Sequence, residues 1–107
     1  VDRKKDMIKT GGENVASREV EEMIYRLPQV SEVAVIGLPD PKWVEAVTAV
    51  IVVKADQALD ESTVIAHCTR HMAHFKAPKR VFFAEALPKN PSGKLLKREL
   101  RTRFAQG

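Results

Sequence analysis

A chain of 107 residues has room for one domain around one modest core. Its composition, 44% hydrophobic and 30% charged, excludes a disordered or fibrous chain, and no apolar run approaches the roughly 18 residues of a membrane span. The net charge of +4 favours anionic partners without choosing among nucleotides, phosphates, nucleic acid and acidic protein surfaces.

The one cysteine, Cys68, excludes an internal disulfide framework and fits a reducing compartment, so a cytoplasmic location is expected. No signal-peptide pattern is present. The chain begins Val1-Asp2-Arg3 without Met, and is expected to be a piece of something longer.

Residues 1–13 are polar and rich in Lys, with Gly11-Gly12 among them, and predict short β segments turning at the glycines. Ser17 is placed to cap a helix over residues 18–27, with Glu19, Glu21 and Glu22 near its positive end. Val20, Met23, Ile24 and Leu27 share one face of it, and Pro28 ends it. Residues 33–38 (VAVIGL) predict a strand, followed by a turn at Pro39-Asp40-Pro41. Residues 46–54 (AVTAVIVVK) are β-branched and predict a buried strand. Asp60 is placed to cap a second helix whose core stripe is Ile65, Cys68, Met72 and Phe75. Val81-Phe82-Phe83 predicts a short strand, and residues 95–104 a last helix with Leu96 and Leu100 inward. The expected fold class is α+β: one domain over residues 1–107, a small sheet with helices packed on it plus an N-terminal β hairpin.

One stretch asks for a chemical reason. In Leu87-Pro88-Lys89-Asn90-Pro91-Ser92-Gly93-Lys94, two prolines and a glycine precede a single lysine just before a helix. A lysine fixed by its backbone is a charge meant for one spot; the competing reading is an exposed Lys whose charge opposes the helix dipole.

This segment resembles the last conserved segment of the C-terminal domain of adenylate-forming enzymes, which include acyl-CoA synthetases, firefly-type luciferases and peptide-synthetase adenylation domains. The stretch Asp2-Arg3-Lys4-Lys5-Asp6-Met7-Ile8-Lys9-Thr10-Gly11-Gly12-Glu13-Asn14-Val15 resembles the first such segment. Both occur in order, at the two ends of the chain, and the resemblance covers essentially all of it. It implies a larger N-terminal domain as partner, which holds most of the ATP and acid pocket. It also implies a two-step reaction: a carboxylic acid, here fatty or aromatic, attacks the α-phosphorus of ATP, and the thiol of CoA then displaces AMP.

By this resemblance Lys94 meets the carboxylate and α-phosphate, where a cation offsets two anions brought together. An ammonium suits that point-charge role because it stays protonated near neutral pH. Arg3 binds ribose or phosphate of the nucleotide, and Lys5 takes the hinge position about which the domain swivels between its two reactions. Lys9, Gly11 and Gly12 belong to the thioester-forming face, where the absence of side chains lets a thiol on a long arm approach the backbone. Asn14 bonds to the adenylate, or else to its own loop. Some CoA ligases of the family stack adenine and meet its phosphates at the places of Trp43, Phe75, Lys76 and Lys79, for which core packing is the rival explanation. ATP and CoA are substrates, and Mg²⁺ is expected with ATP but not on this domain. A charge-removing acetyltransferase acting on Lys94 is a further implied partner.

His67, His71 and His74 lie on one side of the second helix, yet no flanking carboxylate or thiolate pair makes them a metal site; a solvated face is the expectation. The basic tail from Lys97 to Arg103 lacks interleaved aromatics, which argues against the rival from another class, a small nucleic-acid-binding module. The nearer rivals are an adenylation domain serving a carrier-protein thiol and a luciferase-type oxidase.

Overall fold

The computed structural model describes residues 7–93 and 95–104. In chain order the elements are β1 (Met7–Thr10), β2 (Glu13–Ala16), α1 (Ser17–Tyr25), β3 (Val30–Asp40), β4 (Val44–Val53), α2 (Glu61–His71), a single 3₁₀ turn (His74–Lys76), β5 (Arg80–Phe83) and α3 (Lys97–Phe104). This is the expected α+β order. Both central strands are longer than the patterning predicts, because pairing carries the hairpin out through Pro39-Asp40 and Val44-Glu45.

β3 and β4 read as nearly continuous apolar runs because the sheet is covered on both faces. Val33, Val35, Val47, Ala49 and Ile51 join Val20 and Ile24 of α1 and Val64 and Cys68 of α2 in one core. Ala34, Ile36, Leu38 and Val50 face the other way, against Leu87 and Leu100. Each such buried side chain contributes about 1.5–3 kcal/mol if aliphatic and large. On the second face α3 is fixed at its far end by Phe104, which stacks on Phe82 with ring centroids 4.6 Å apart.

The sheet order is β2-β1-β4-β3, with β5 also against β4. β5 runs parallel to β4 over Thr48–Ile51, whereas β1 meets β4 in register only at Thr10 and Val44. Among the described residues the outer edge of β3 has no strand partner. α1 lies along it and supplies acceptors instead: the Val33 N–H donates to Tyr25 Oη at 3.3 Å and the Val35 N–H to Glu21 Oε2 at 2.8 Å. Covering an edge with side-chain acceptors satisfies its backbone and closes it to other chains.

Three local expectations are corrected. The last helix begins at Lys97, so Leu96 stands before it, half-buried, rather than on its inward face. Ser17 is not the cap of α1; Ala16 holds that position, with no side-chain cap bond, and Ser17 is buried inside the first turn. Its hydroxyl instead accepts from Lys97 Nζ at 3.1 Å. The second helix ends at His71, so Met72 is its C-cap and Phe75 stands in the 3₁₀ turn rather than on the helix stripe. Asp60 does cap α2, accepting from the Thr63 N–H at 2.8 Å. Hydrogen bonding from the Thr63 side chain, and next this backbone bond, lower its carboxyl below the ordinary value.

The β3–β4 connection is the residue trio Pro41-Lys42-Trp43, closed by Asp40 Oδ1, which accepts from the Lys42 N–H at 2.8 Å and the Trp43 N–H at 3.1 Å. The chain leaves this loop through Val44 at φ 71°, a left-handed conformation that favours glycine and is costly for a β-branched residue. Val44 is also 68% exposed, so little burial offsets the strain.

Two stability measurements follow from these contacts. Glu21→Ala removes the acceptor of a strand N–H together with the carboxylate 2.8 Å from Lys97 Nζ, and should lower the unfolding free energy by about 2–3 kcal/mol. Glu21→Gln keeps an acceptor oxygen and should cost less; equal losses in denaturant melts would deny the edge bond its role. Val44→Gly should raise stability by about 0.5–1 kcal/mol, a rise of a few degrees in Tm, since relief of left-handed strain exceeds the entropy that glycine adds to the unfolded chain. An unchanged or lower Tm would show that the strain is absorbed elsewhere.

Candidate functional site

The β1–β2 hairpin turns through Gly11 at φ 57° and Gly12 at φ 85°, values that glycine adopts at no steric cost. The two glycines have different surroundings. A Cβ on Gly11 would lie 3.0 Å from Trp43 Cε3 and 3.3 Å from Cζ3, so the indole occupies the space that a side chain would take. The Gly11 N–H donates to the Trp43 carbonyl at 2.8 Å. A Cβ on Gly12 would meet no atom within 4 Å, so that position opens outward. Directly behind the turn, Lys9 and Asn14 are cross-strand partners, both with exposed side chains.

Two cations converge on Trp43. Lys42 Nζ is 5.2 Å and Lys79 Nζ 5.0 Å from its ring centroid, within cation–π range. Lys79 also donates to the carbonyls of His74 at 3.2 Å and Ala77 at 3.3 Å. Burial lowers its pKa, a direction set by desolvation of the ammonium. Its backbone is equally fixed, the N–H donating to the Val47 carbonyl at 2.7 Å. Gly11, Gly12, Trp43 and Lys79, distant in sequence, therefore form one surface.

Phe75 and Lys76 differ from these. Phe75 is half-buried and packs against the core of α1 and α2. Lys76 Nζ pairs with Glu19 Oε2 at 2.9 Å and lies 5.9 Å from the Phe75 ring centroid. The first aromatic position thus leans on the core, and the cation beside it is engaged by a carboxylate.

Arg3, Lys5 and Lys94 lie outside the described residues. The chain on either side of Lys94 is described and is held by short bonds. The Gly93 N–H donates to the Asn90 carbonyl at 2.8 Å, closing a turn with Pro91 at its second position. Asn90 Oδ1 accepts from the Ser92 N–H at 3.1 Å and the Ser92 hydroxyl at 2.8 Å. Lys89 and Leu95 form a bridge across the loop, and the Leu96 N–H donates to the Pro88 carbonyl at 2.9 Å. Lys89 Nζ anchors the incoming segment to Glu32 Oε1 at 2.8 Å. On the outgoing side Lys97 Nζ reaches Glu21 Oε2 at 2.8 Å, both side chains being more than four-fifths buried.

Sequence reasoning missed the carboxylates that hold this architecture. Asp40 shapes the Trp43 loop and lies 3.5 Å from Arg80 Nη2. Its signal was its place ahead of Pro41 in a turn. Glu45 Oε1 accepts from the Lys9 N–H at 2.9 Å, and its signal was a charge at the head of an apolar run. Of the histidines, His67 Nε2 lies 2.9 Å from the Met23 carbonyl and its ring 5.0 Å from that of His71. Among the described residues no group of three or more His, Cys, Asp or Glu is placed to hold a metal ion. Cys68 is buried, and desolvation pushes its thiol up to about 11.

Residues 19–94, more than half of the chain, match the family model described as AMP-binding enzyme C-terminal domain. Long-chain-fatty-acid–CoA ligase FadD13 of Mycobacterium tuberculosis is 51% identical over 105 residues, 97% of this chain and 20% of the ligase. Feruloyl-CoA synthase of an Amycolatopsis species is 46% identical over 104 residues, 97% of this chain and 21% of the synthase. Among solved structures, a Mycobacterium tuberculosis fatty acyl CoA synthetase superposes with a TM-score of 0.89 at 48% identity, covering 95% of this chain and 20% of that one. Apo MatB from Rhodopseudomonas palustris gives 0.91 at 42% identity, covering 94% and 20%. The chain therefore spans about a fifth of the length of the curated relatives it matches. None of these relatives is a nucleic-acid-binding protein by its name, and among the described residues no helix is long and apolar enough to cross a membrane. By motif, fold and relatives, the chain belongs to the AMP-binding enzyme C-terminal domain family.

Proposed function

We propose that this chain is the swivelling C-terminal domain of an AMP-forming acid–CoA ligase, working with a larger N-terminal domain that carries the acid and most of the ATP site. The observation that carries the reading is the meeting of Gly11, Gly12, Trp43 and Lys79 on one surface. An indole offers a stacking face for adenine, two lysines offer charge for phosphates, and an open glycine leaves room for a thiol arm. Free CoA has all three features. This favours CoA over a carrier protein as the acyl acceptor. The names of the relatives, which include fatty-acid and feruloyl ligases, favour a fatty or aromatic acid as the other substrate.

In the first half-reaction, the acid carboxylate attacks the α-phosphorus of ATP and pyrophosphate leaves. Lys94 is assigned the cation that brings the two anions together, with Arg3 on the nucleotide. The bonded turn from Asn90 to Gly93 supports that role, since a loop fixed before the reaction needs little reorganisation during it. Mg²⁺ would accompany ATP, bound chiefly by the phosphates and the larger domain. A swivel about Lys5 then presents the other surface. The CoA sulfur attacks the acyl carbon and AMP leaves, with Lys9 near the reacting centre and Asn14 on the adenylate. Such an enzyme would work in the cytoplasm, and acetylation of Lys94 would switch off its first half-reaction by removing the charge.

Lys94→Ala in the full-length enzyme tests this division of labour. Adenylation, measured by pyrophosphate exchange, should fall by roughly 10²–10³, about 3–4 kcal/mol in the barrier. Conversion of supplied acyl-adenylate and CoA to acyl-CoA should stay near normal. Normal adenylation, or equal loss in both halves, would overturn the assignment.

A further inference from the structure

Glu45 is the only charged residue between Trp43 and Val53, in a strand otherwise made of β-branched and small side chains. The carboxylate is nonetheless half-buried. Its Oε1 accepts from the Lys9 N–H at 2.9 Å. This bond stands just beyond the point where the backbone ladder between β1 and β4 stops, at Thr10 opposite Val44. Glu45 thus extends by a side chain a pairing that the two backbones do not continue.

The fold makes room for it. Glu45 stands opposite Pro39, and Gly37 opposite Val47, which puts Gly37 and Glu45 on one face as diagonal neighbours. A Cβ on Gly37 would come within 3.0 Å of Glu45 Cδ, 3.1 Å of Oε1 and 3.0 Å of Ile8 Cγ2. The missing side chain is what lets the carboxylate lie under β1 and lets Ile8 seat beside it. The same carboxylate borders a small cavity of about 130 Å³ whose lining includes Gly37, Lys97 and Arg101. Two independent features, an acceptor aimed at one N–H and a glycine cleared for it, therefore serve the same strand.

We propose that Glu45 is a positioning residue for thioester formation. By holding the Lys9 backbone it fixes the strand that presents Lys9, its partner Asn14 and the Gly11-Gly12 turn. The proposal rests on the reading of this hairpin as the CoA face. Glu45 touches no substrate; it acts through β1. The bond needs an acceptor oxygen at that point, and not a charge as such.

The test uses the full-length enzyme and measures its two half-reactions separately. Glu45→Ala should lower kcat/KM for CoA, with supplied acyl-adenylate, by about tenfold, the size of one hydrogen bond to a charged acceptor. Pyrophosphate exchange should stay within about twofold of the unsubstituted enzyme. Glu45→Gln keeps the acceptor and the volume and should restore the thioester rate. A thioester rate unaffected by Glu45→Ala, an equal fall in both half-reactions, or a Gln variant as impaired as the Ala variant would each overturn the proposal while leaving the CoA reading intact. An unsubstituted enzyme that adenylates its acid but never transfers it to CoA would overturn the CoA reading, and the proposal with it.

Discussion

One carboxylate joins three parts of this domain. Glu21 Oε2 accepts the Val35 N–H on the open edge of β3 and lies 2.8 Å from Lys97 Nζ at the start of α3. An edge N–H under a helix has lost water and needs an acceptor, and a lysine more than four-fifths buried needs an anion. A single side chain meets both needs. The consequence is mechanical: the helix that follows Lys94 in sequence is tied to α1 and, through it, to the central sheet. The Ser17 hydroxyl adds a second tie to the same ammonium. Had Ser17 capped α1, as its sequence position suggests, its oxygen would have been spent on the helix rather than on Lys97.

The two stretches that carry the family's motifs are stiffened in different ways. The proline loop is held by local bonds, with Asn90 closing its own turn through both carbonyl and side chain. Such a turn keeps its shape whatever lies against it. The glycine hairpin is held by non-local contacts: the Trp43 indole fills the space beside Gly11, and Glu45 takes the Lys9 N–H. Its shape depends on the β3–β4 hairpin, which in turn depends on Asp40 closing the loop and on Val44 tolerating a left-handed backbone. A face built from several elements responds to changes in any of them.

The pattern of legibility in the sequence follows from this difference. Continuous β-branched runs announced β3 and β4, the i, i+3, i+4 spacing announced the inward face of α1, and Asp60 announced the start of α2. The proline loop and the glycine hairpin were legible as motifs, because residue type alone marks a tight turn. Contacts between distant residues left weaker marks. Phe75 continues the helical spacing of α2, but the chain breaks at Met72 and reforms as a 3₁₀ turn, since packing on the core decides where the ring goes. Val44 was invisible as a strained position, because a valine in a β-rich run suits the strand by propensity and defies it only by its φ. Glu45 fell just outside the predicted strand, and its partner lies 36 residues away, where periodicity does not point.

The charge balance takes on meaning once the pairs are assigned. Arg18, Lys76, Arg80, Lys89 and Lys97 each stand within ion-pair distance of a carboxylate. Lys42 and Lys79 are held differently: both lie over an indole, and Lys79 donates to backbone carbonyls. Carbonyls and a ring face position an ammonium without neutralising it, whereas a carboxylate cancels its charge. The Trp43 surface therefore keeps positive charge in a fixed place, next to a glycine turn that opens outward. Partial burial of Lys79 raises the energy of its charged form, and an approaching phosphate would lower it again. Two of the lysines behind the net charge of +4 are thus held at one surface with no carboxylate paired to them among the described residues.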